Sequence, residues 1–517
     1  MESRFSDPKS GPPHHPGPPH QLDITHQPGT KHHSRPPGHV AARALAAALA
    51  LALGCIPLAA SAPYSRPNSG PGFGSQDWDA VDDVFAAYDH ADTPGCALGV
   101  VQGGDLVYAR GYGMANLDHG IAITPQTVFR TGSVAKQFTA AAIAVAAREG
   151  ALSLDDPVKK WIPTLPTYPS DPAIRHMVHH TSGLRDYLVL MTLKGLRDDD
   201  FYTDAQVRDV ISRQRQLNFT PGAEYLYSNS GYFLLGQIIR EATGMSLREY
   251  AQEKIFRPLR MTHSHFHDDH NHIVPSRATG YAPEGDGYRI SVTTLDMVGD
   301  GGVFTSIEDL VHWVNALNYD NLDEGLTAML ETRGILNTGD TIRYAFGQTH
   351  GQYRGLRTVG HGGAFVGFRA DITRFPDQDT SIMTICNRSD ASPGRLARRV
   401  ADAVLADHLG ARRAAQNRSD SATTPTPDPG PVTNVDDYVG IYYSPELDVE
   451  YTLSRNGEAL RLRVGHGIDG ELRSSEEDVL VLGRWTFRFT RENGRVTGFE
   501  VDAGRVQHIA FIRDESG

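Results

Sequence analysis

Gly132-Ser133-Val134-Ala135-Lys136 stands directly before a breaker-free run, Phe138 to Arg148, built mostly of Ala, Ile and Val. Such a run reads as a buried helix. Residues three apart share a helical face, so the Lys136 amine projects beside the Ser133 hydroxyl, and the helix N-terminus brings backbone N–H groups to the same place. A serine hydroxyl is a weak nucleophile until a neighbouring amine of lowered pKa takes its proton. The spacing alone is a weak signal, because Ser6-Asp7-Pro8-Lys9 repeats it in a stretch with no apolar pattern.

Two further groups could complete the chemistry. Tyr227-Ser228-Asn229 follows Pro221-Gly222 and leads into a helix with Leu234, Leu235, Ile238 and Ile239 inward and Gly244 as its stop. A phenol beside a cationic amine can be held partly ionised as a general base, and the Asn229 amide can hold both Lys136 and a substrate carbonyl. Gly360-His361-Gly362-Gly363-Ala364 precedes a strand-like run, Phe368 to Arg374. Its glycines admit a substrate backbone, and the Ala364 N–H with that of Ser133 would form an oxyanion hole.

The elements that must position these groups come from both ends of a large domain, residues 63–410. A helical pattern at Asp77 to Ala87 leads into two strand-like runs, Ala97 to Gln102 and Leu106 to Arg110, and strands return only at Phe368 to Arg374 and Thr380 to Cys386. The predicted class is α/β, an antiparallel sheet flanked by helices with a helical insertion. Residues 411–434 carry Pro425, Pro427, Pro429 and Pro431 and read as a linker. Beyond it, residues 435–517 read as short alternating strands with Asn456-Gly457 and Asn493-Gly494 turns and Trp485, Phe487 and Phe489 on one face, a small all-β barrel or sandwich.

Residues 1–39 are crowded with Pro, His and Gly and lack the apolar content to form a core, so they read as a disordered leader, or as untranslated sequence if translation starts at Val40. Residues 40–62 follow the plan of a secretory signal: Arg43, an uncharged stretch from Ala44 to Leu58, and Ala60-Ser61-Ala62. Cleavage after Ala62 and export to a periplasm or the medium are expected; an uncleaved membrane anchor is the alternative. Cys96 and Cys386 then remain; in an oxidising compartment they could pair, but each lies in an apolar strand-like run and reads as a buried free thiol. The net charge of −13 is spread without long runs of one sign, which points away from nucleic acid and toward a small-molecule or peptide-like acyl substrate. The segment His263 to His272 has no spacing that presents one tetrahedral ligand set and reads as a solvated loop, so neither metal nor organic cofactor is expected.

Taken in order, the three motifs resemble those of the serine β-lactamase and penicillin-binding protein superfamily, in its class C β-lactamase, D-alanyl-D-alanine carboxypeptidase and esterase branch. The resemblance covers roughly residues 77–408 and includes His179-His180-Thr181-Ser182-Gly183-Leu184 and Gly302-Val303-Phe304-Thr305-Ser306. It implies a β-lactamase-like sheet, Ser133 as acylated nucleophile and Lys136 with Tyr227 as the proton-transfer pair. It further implies Asn229 as holder of lysine and substrate, His361 as partner of Tyr227, and Gly362, Gly363 and Ala364 as the substrate and oxyanion strand. The terminal strands look like the lipocalin-like appendage of many relatives. The third motif departs from Lys-Thr-Gly: His361 is no permanent cation and Gly362 has no hydroxyl. An ester or peptide-like substrate therefore fits better than a β-lactam; the alternatives are a β-lactamase proper, or a penicillin-binding sensor of peptidoglycan without turnover. Arg369 is either a carboxylate clamp or a surface ion-pair partner of Asp371.

Overall fold

The run Cys96–Gln102 carries no charged residue and is buried along its whole length, as befits a strand covered on both faces. It forms β1 and turns through Gly103 and Gly104, both at positive φ, into β2, Asp105–Tyr112. The structure, a computed structural model, describes residues 77–197, 199–411 and 429–514. The expected leader at 1–39, the signal at 40–62 and most of the 411–434 linker lie outside the described residues.

Four strands from the far end of the large domain complete the sheet: β3, Thr349–Tyr353; β4, Leu356–Phe365; β5, Phe368–Phe375; and β6, Thr380–Cys386. The order is β3-β4-β5-β6-β1-β2 and every pairing is antiparallel. The two ends of the domain thus meet where β6 pairs with β1. That register sets Cys96 opposite Cys386, and a disulfide joins them, which corrects the expectation of free thiols. The two runs are 290 residues apart, and only the strand order makes them neighbours.

One face of the sheet is covered by α1, Trp78–Phe85, and α5, Pro393–Val404, which bury Val81, Phe85, Leu396 and Val400 against β1 and β6. Asp77 caps α1 by accepting the Ala80 N–H. The other face holds the insertion between β2 and β3. Its centre is α2, Ala135–Arg148, buried continuously from Ala135 to Ala146. The many alanines let neighbours pack closely on every side. Among these neighbours is α4, Asn229–Thr243, which ends on Gly244 at φ +76°, and α3, Tyr187–Leu193, packs in turn against α4.

The C-terminal strands close into a barrel: β7, Gly440–Ser444; β8, Val449–Asn456; β9, Ala459–Val464; β10, Ile468–Glu476; β11, Val479–Leu482; β12, Trp485–Glu492; β13, Arg495–Asp502; and β14, Ile509–Arg513. Alternate residues point inward, and Tyr442, Tyr451, Phe487, Phe499 and Phe511 fill the interior. The barrel and the large domain lie in one compact unit and share buried polar contacts. The Arg185 guanidinium, wholly buried, donates to Glu446 Oε1 at 2.8 Å, Gln214 Oε1 at 3.0 Å and His508 O at 2.9 Å. Tyr451 donates to Leu193 O at 2.7 Å.

Candidate active site

Gly132 adopts φ +54° and opens a single tight turn, Gly132–Val134, that runs straight into α2. Ser133 therefore sits at the N-terminus of the buried helix with Lys136 one turn along. The turn lies against β4: a Cβ on Gly132 would stand 2.7 Å from Ala364 N, and one on Gly363 would stand 3.1 Å from Ser133 N and 1.9 Å from Thr131 O. Glycine at both positions is what lets the serine turn and the strand make contact, and it gathers the Ser133 and Ala364 amides. β3 pairs with β4 only as far as Gly360, so His361 to Phe365 present a backbone edge with no β3 partner to a cleft of about 770 Å³.

Lys136 is fully buried. Its Nζ donates to Asn229 Oδ1 at 2.8 Å and to Asp300 O at 2.6 Å, with Ser133 Oγ at 3.2 Å. An ammonium donates to all three; a neutral amine keeps the first two bonds and turns its lone pair to the serine proton. Burial lowers the Lys136 pKa from its ordinary value, opposed by Asp300 and Asp186, while Arg505 lowers it further. Asn229 is held in this orientation because its Nδ2 and backbone N–H both donate to Asp186 Oδ2 at 2.8 Å. Asp186 itself caps α3 through Oδ1, accepting from Leu188 N and Val189 N.

The Tyr227 hydroxyl is enclosed with no formed hydrogen bond. Burial pushes its pKa well up, and the neighbouring Ser133 hydroxyl only partly opposes this. The expectation of a partly ionised phenol is thus corrected: Lys136 Nζ lies 4.8 Å from the ring centroid, where it acts on the π-face and forms no bond to the oxygen. His361 departs from expectation too. Its Nδ1 bonds Gly362 O at 2.5 Å and its Nε2 lies 3.0 Å from the Tyr344 hydroxyl, so its hydrogen-bonded partner is Tyr344 and Tyr227 is only a ring neighbour at 6.1 Å. Burial, then Lys136, lowers the His361 pKa to about 4, leaving a neutral imidazole whose Nε2 accepts from Tyr344. His180 packs on the Tyr227 ring at 4.1 Å.

Charged groups that no motif announces line the same cleft: Arg130, Arg395, Arg398 and Arg505, with the carboxyl groups of Asp300 and Asp371. Burial raises both carboxyl pKa values, that of Asp371 to about 6. Arg505 comes from the loop between β13 and β14 of the barrel, and its guanidinium lies 4.7 Å from the Tyr227 ring centroid and 3.6 Å from Asp186 Oδ2. Arg369 is neither a clamp nor a partner of Asp371. It donates to Val366 O and Phe368 O and faces a neighbouring hollow, because the turn at Val366 folds its side chain back on its own backbone. In the histidine segment, His265 Nε2 meets His267 Nδ1 at 3.2 Å and His270 pairs with Asp296 at 2.8 Å. Among the described residues no group of three or more His, Cys, Asp or Glu is arranged to hold a metal.

The family model described as Beta-lactamase matches residues 81–406, more than half of the chain. A D-aminopeptidase of Gluconobacter oxydans is 29% identical over 301 residues, 58% of this chain and 57% of the relative. One from Brucella canis is 30% identical over 298 residues, 57% of this chain and 56% of the relative. The chain therefore spans little more than half the length of the curated relatives it matches. Among solved structures, the octameric penicillin-binding protein homologue from Pyrococcus abyssi superposes with a TM-score of 0.55 at 23% identity, covering 81% of this chain and 96% of that one. The D-amino acid amidase from Ochrobactrum anthropi SV3 gives 0.55 at 21% identity, covering 64% and 99%. At these identities the structural likeness speaks for the fold.

Proposed function

This chain belongs to the beta-lactamase family, and from that membership we propose that it is a serine hydrolase cleaving an ester or amide bond through a covalent acyl-serine. The observation that carries the reading is the meeting of Lys136 Nζ with Ser133 Oγ at 3.2 Å inside a lattice fixed by Asn229 and Asp300 O. Neutral Lys136 takes the Ser133 proton as Oγ attacks the carbonyl carbon. The developing oxyanion is received by the N–H groups of Ser133 and Ala364. Collapse of the adduct breaks the bond to the leaving group, which takes its proton from the Tyr227 hydroxyl, and the Lys136 ammonium, which has no direct bond to the phenol oxygen, returns that proton by way of a water. Water then attacks the acyl-serine with the same groups acting in reverse, releasing the acid.

The names of the relatives suggest a D-configured aminoacyl or peptide substrate. The charge of the cleft refines this: four arginines line it, and its two carboxyl groups are shifted toward the neutral form. That balance favours a substrate ending in a carboxylate over one recognised through a free amine. A neutral His361 and the missing hydroxyl at Gly362 weigh against efficient β-lactam hydrolysis. Export is part of the proposal. The signal-like sequence at 40–62 supports it, and so does the disulfide between Cys96 and Cys386, since such bonds persist in oxidising compartments. The test is a panel on the full chain: a nitrophenyl ester, a chromogenic cephalosporin, a D-alanyl-D-alanine peptide and its C-terminal amide. Turnover of the ester and of the free-acid peptide, both abolished in Ser133→Ala, is expected. Equal turnover by Ser133→Ala would overturn the reading.

A further inference from the structure

We propose that Asp186 is a positioning residue through which the C-terminal barrel governs the catalytic lysine, with Arg505 as the barrel's point of contact. The inference rests on the reading of Ser133 and Lys136 given above.

Asp186 is wholly buried, yet its two carboxylate oxygens serve three separate structures. Oδ1 caps α3. Oδ2 accepts both N–H groups offered by Asn229, each at 2.8 Å. The same Oδ2 lies 3.6 Å from Arg505 Nη1. An amide has one acceptor end and one donor end, so committing Nδ2 to Asp186 leaves Oδ1 as the end that meets Lys136. Were the amide reversed, its NH₂ would face the lysine amine and its oxygen would face the carboxylate. Asp186 thus dictates the orientation of Asn229, and Asn229 holds Lys136 against Ser133.

The barrel grips this carboxylate from outside the large domain. Asn218 clamps the loop between β13 and β14 at the arginine and just after it, donating from Nδ2 to Arg505 O at 2.9 Å and accepting the Gln507 N–H at 2.9 Å. The Asp186 N–H reaches Arg505 O as well, at 3.4 Å. The guanidinium is then laid over the Tyr227 ring and toward Asp186. Around Lys136 stand Asp186 from the cap of α3, Asp300 from the segment before residues 303–305, Arg505 from the barrel, His180 and His361 as neutral rings, and Tyr227 and Tyr232 as phenols. The two acids favour the ammonium and Arg505 disfavours it. Removing Arg505 or Asp186 therefore moves the lysine in opposite directions.

The experiment measures acylation rate against pH for the full chain with a neutral nitrophenyl ester, which has no carboxylate for an arginine to hold. Arg505→Gln is expected to shift the acid limb of the profile upward by roughly half a unit and to slow acylation several-fold, about the effect of one partly exposed charge. Arg505→Lys restores the limb. Asp186→Asn keeps a good helix cap and shifts the limb downward, with acylation slowed about a hundredfold as Asn229 loses its fixed acceptor. Thermal unfolding of each variant within a few degrees of the parent excludes a general loss of fold. An unshifted limb in both variants would overturn the proposal, as would an Arg505→Gln whose only defect is a raised KM for carboxylate-bearing substrates. In either case the Ser133→Ala control still separates this failure from failure of the functional reading.

Discussion

Replacing Gly363 with alanine places a methyl group in a space that the fold has closed. The residue is extended, not left-handed, so the substitution carries no backbone strain of its own. The new Cβ would lie 1.9 Å from Thr131 O, and a separation under 3.0 Å forces something to move. Both parties are backbone, so β4 and the serine turn must part by at least ~1.1 Å. That movement withdraws the Ala364 N–H from the oxygen that gains charge during attack on Ser133. A misplacement of about 1 Å costs roughly a hundredfold in rate, and outright loss of one oxyanion donor costs about 10²–10³-fold, or ~2.7–4 kcal/mol. Single-turnover acylation by a nitrophenyl ester reads this directly, with thermal unfolding as the control for fold. Gly362→Ala, whose Cβ would meet only ordinary contacts at 3.7 Å, is expected to lose far less. A Gly363→Ala enzyme acylating within threefold of the parent would refute the argument that the strand and turn form the oxyanion site by direct contact.

Three other outcomes follow from the same geometry. Because burial lowers the Lys136 pKa and the neutral amine is the active form, kcat/KM is expected to rise tenfold per pH unit up to a limb below lysine's usual ~10.4; a rate that falls over that range would contradict the lysine base. Tyr227→Phe removes the proton donor that an amine leaving group needs, so amide turnover should fall about 10²–10⁴-fold while nitrophenyl ester turnover, whose leaving group needs no proton, falls much less; equal losses on both substrates would argue for the phenol as base. Glu446→Ala leaves the buried Arg185 guanidinium without its counter-charge, and a loss of about 3–5 kcal/mol in denaturant unfolding is expected; unchanged stability would mean that Gln214 and His508 suffice to hold it.

Local spacing made part of the site legible. Ser133 and Lys136 share a helical face three residues apart, and Asn229 opens a helix whose apolar stripe is plain in the sequence. The glycines of the third motif announced close approach, and the structure supplies what they approach. The remainder came from topology. Asp186 and Asp300 each sit beside a recognisable stretch, His179 to Leu184 and Gly302 to Ser306, yet nothing in an isolated aspartate says that it will face a lysine from another element. Tyr344 reaches His361 from the segment just before β3. Arg505 lies in a barrel loop 369 residues from Lys136, beyond any periodicity argument. Whether Cys96 pairs with Cys386 was undecided for the same reason, and the fold-back of Arg369 was hidden, since it depends on the positive φ of Val366.

The reach of the β13–β14 loop divides the site into two parts held by different scaffolds. Bond making and breaking depend on α2, α4 and β4, which belong to one core and cannot shift independently. The loop is anchored on the barrel and meets that core through its backbone, held by Asn218, Arg185 and the Asp186 N–H, and through one arginine side chain. Its outward-facing side chains can be exchanged without entering the packing behind Ser133, whereas Ala503 and Val506 are buried. A library confined to Arg505, Gln507 and His508 would therefore explore substrate preference and working pH in one step, while the reaction itself stays the same.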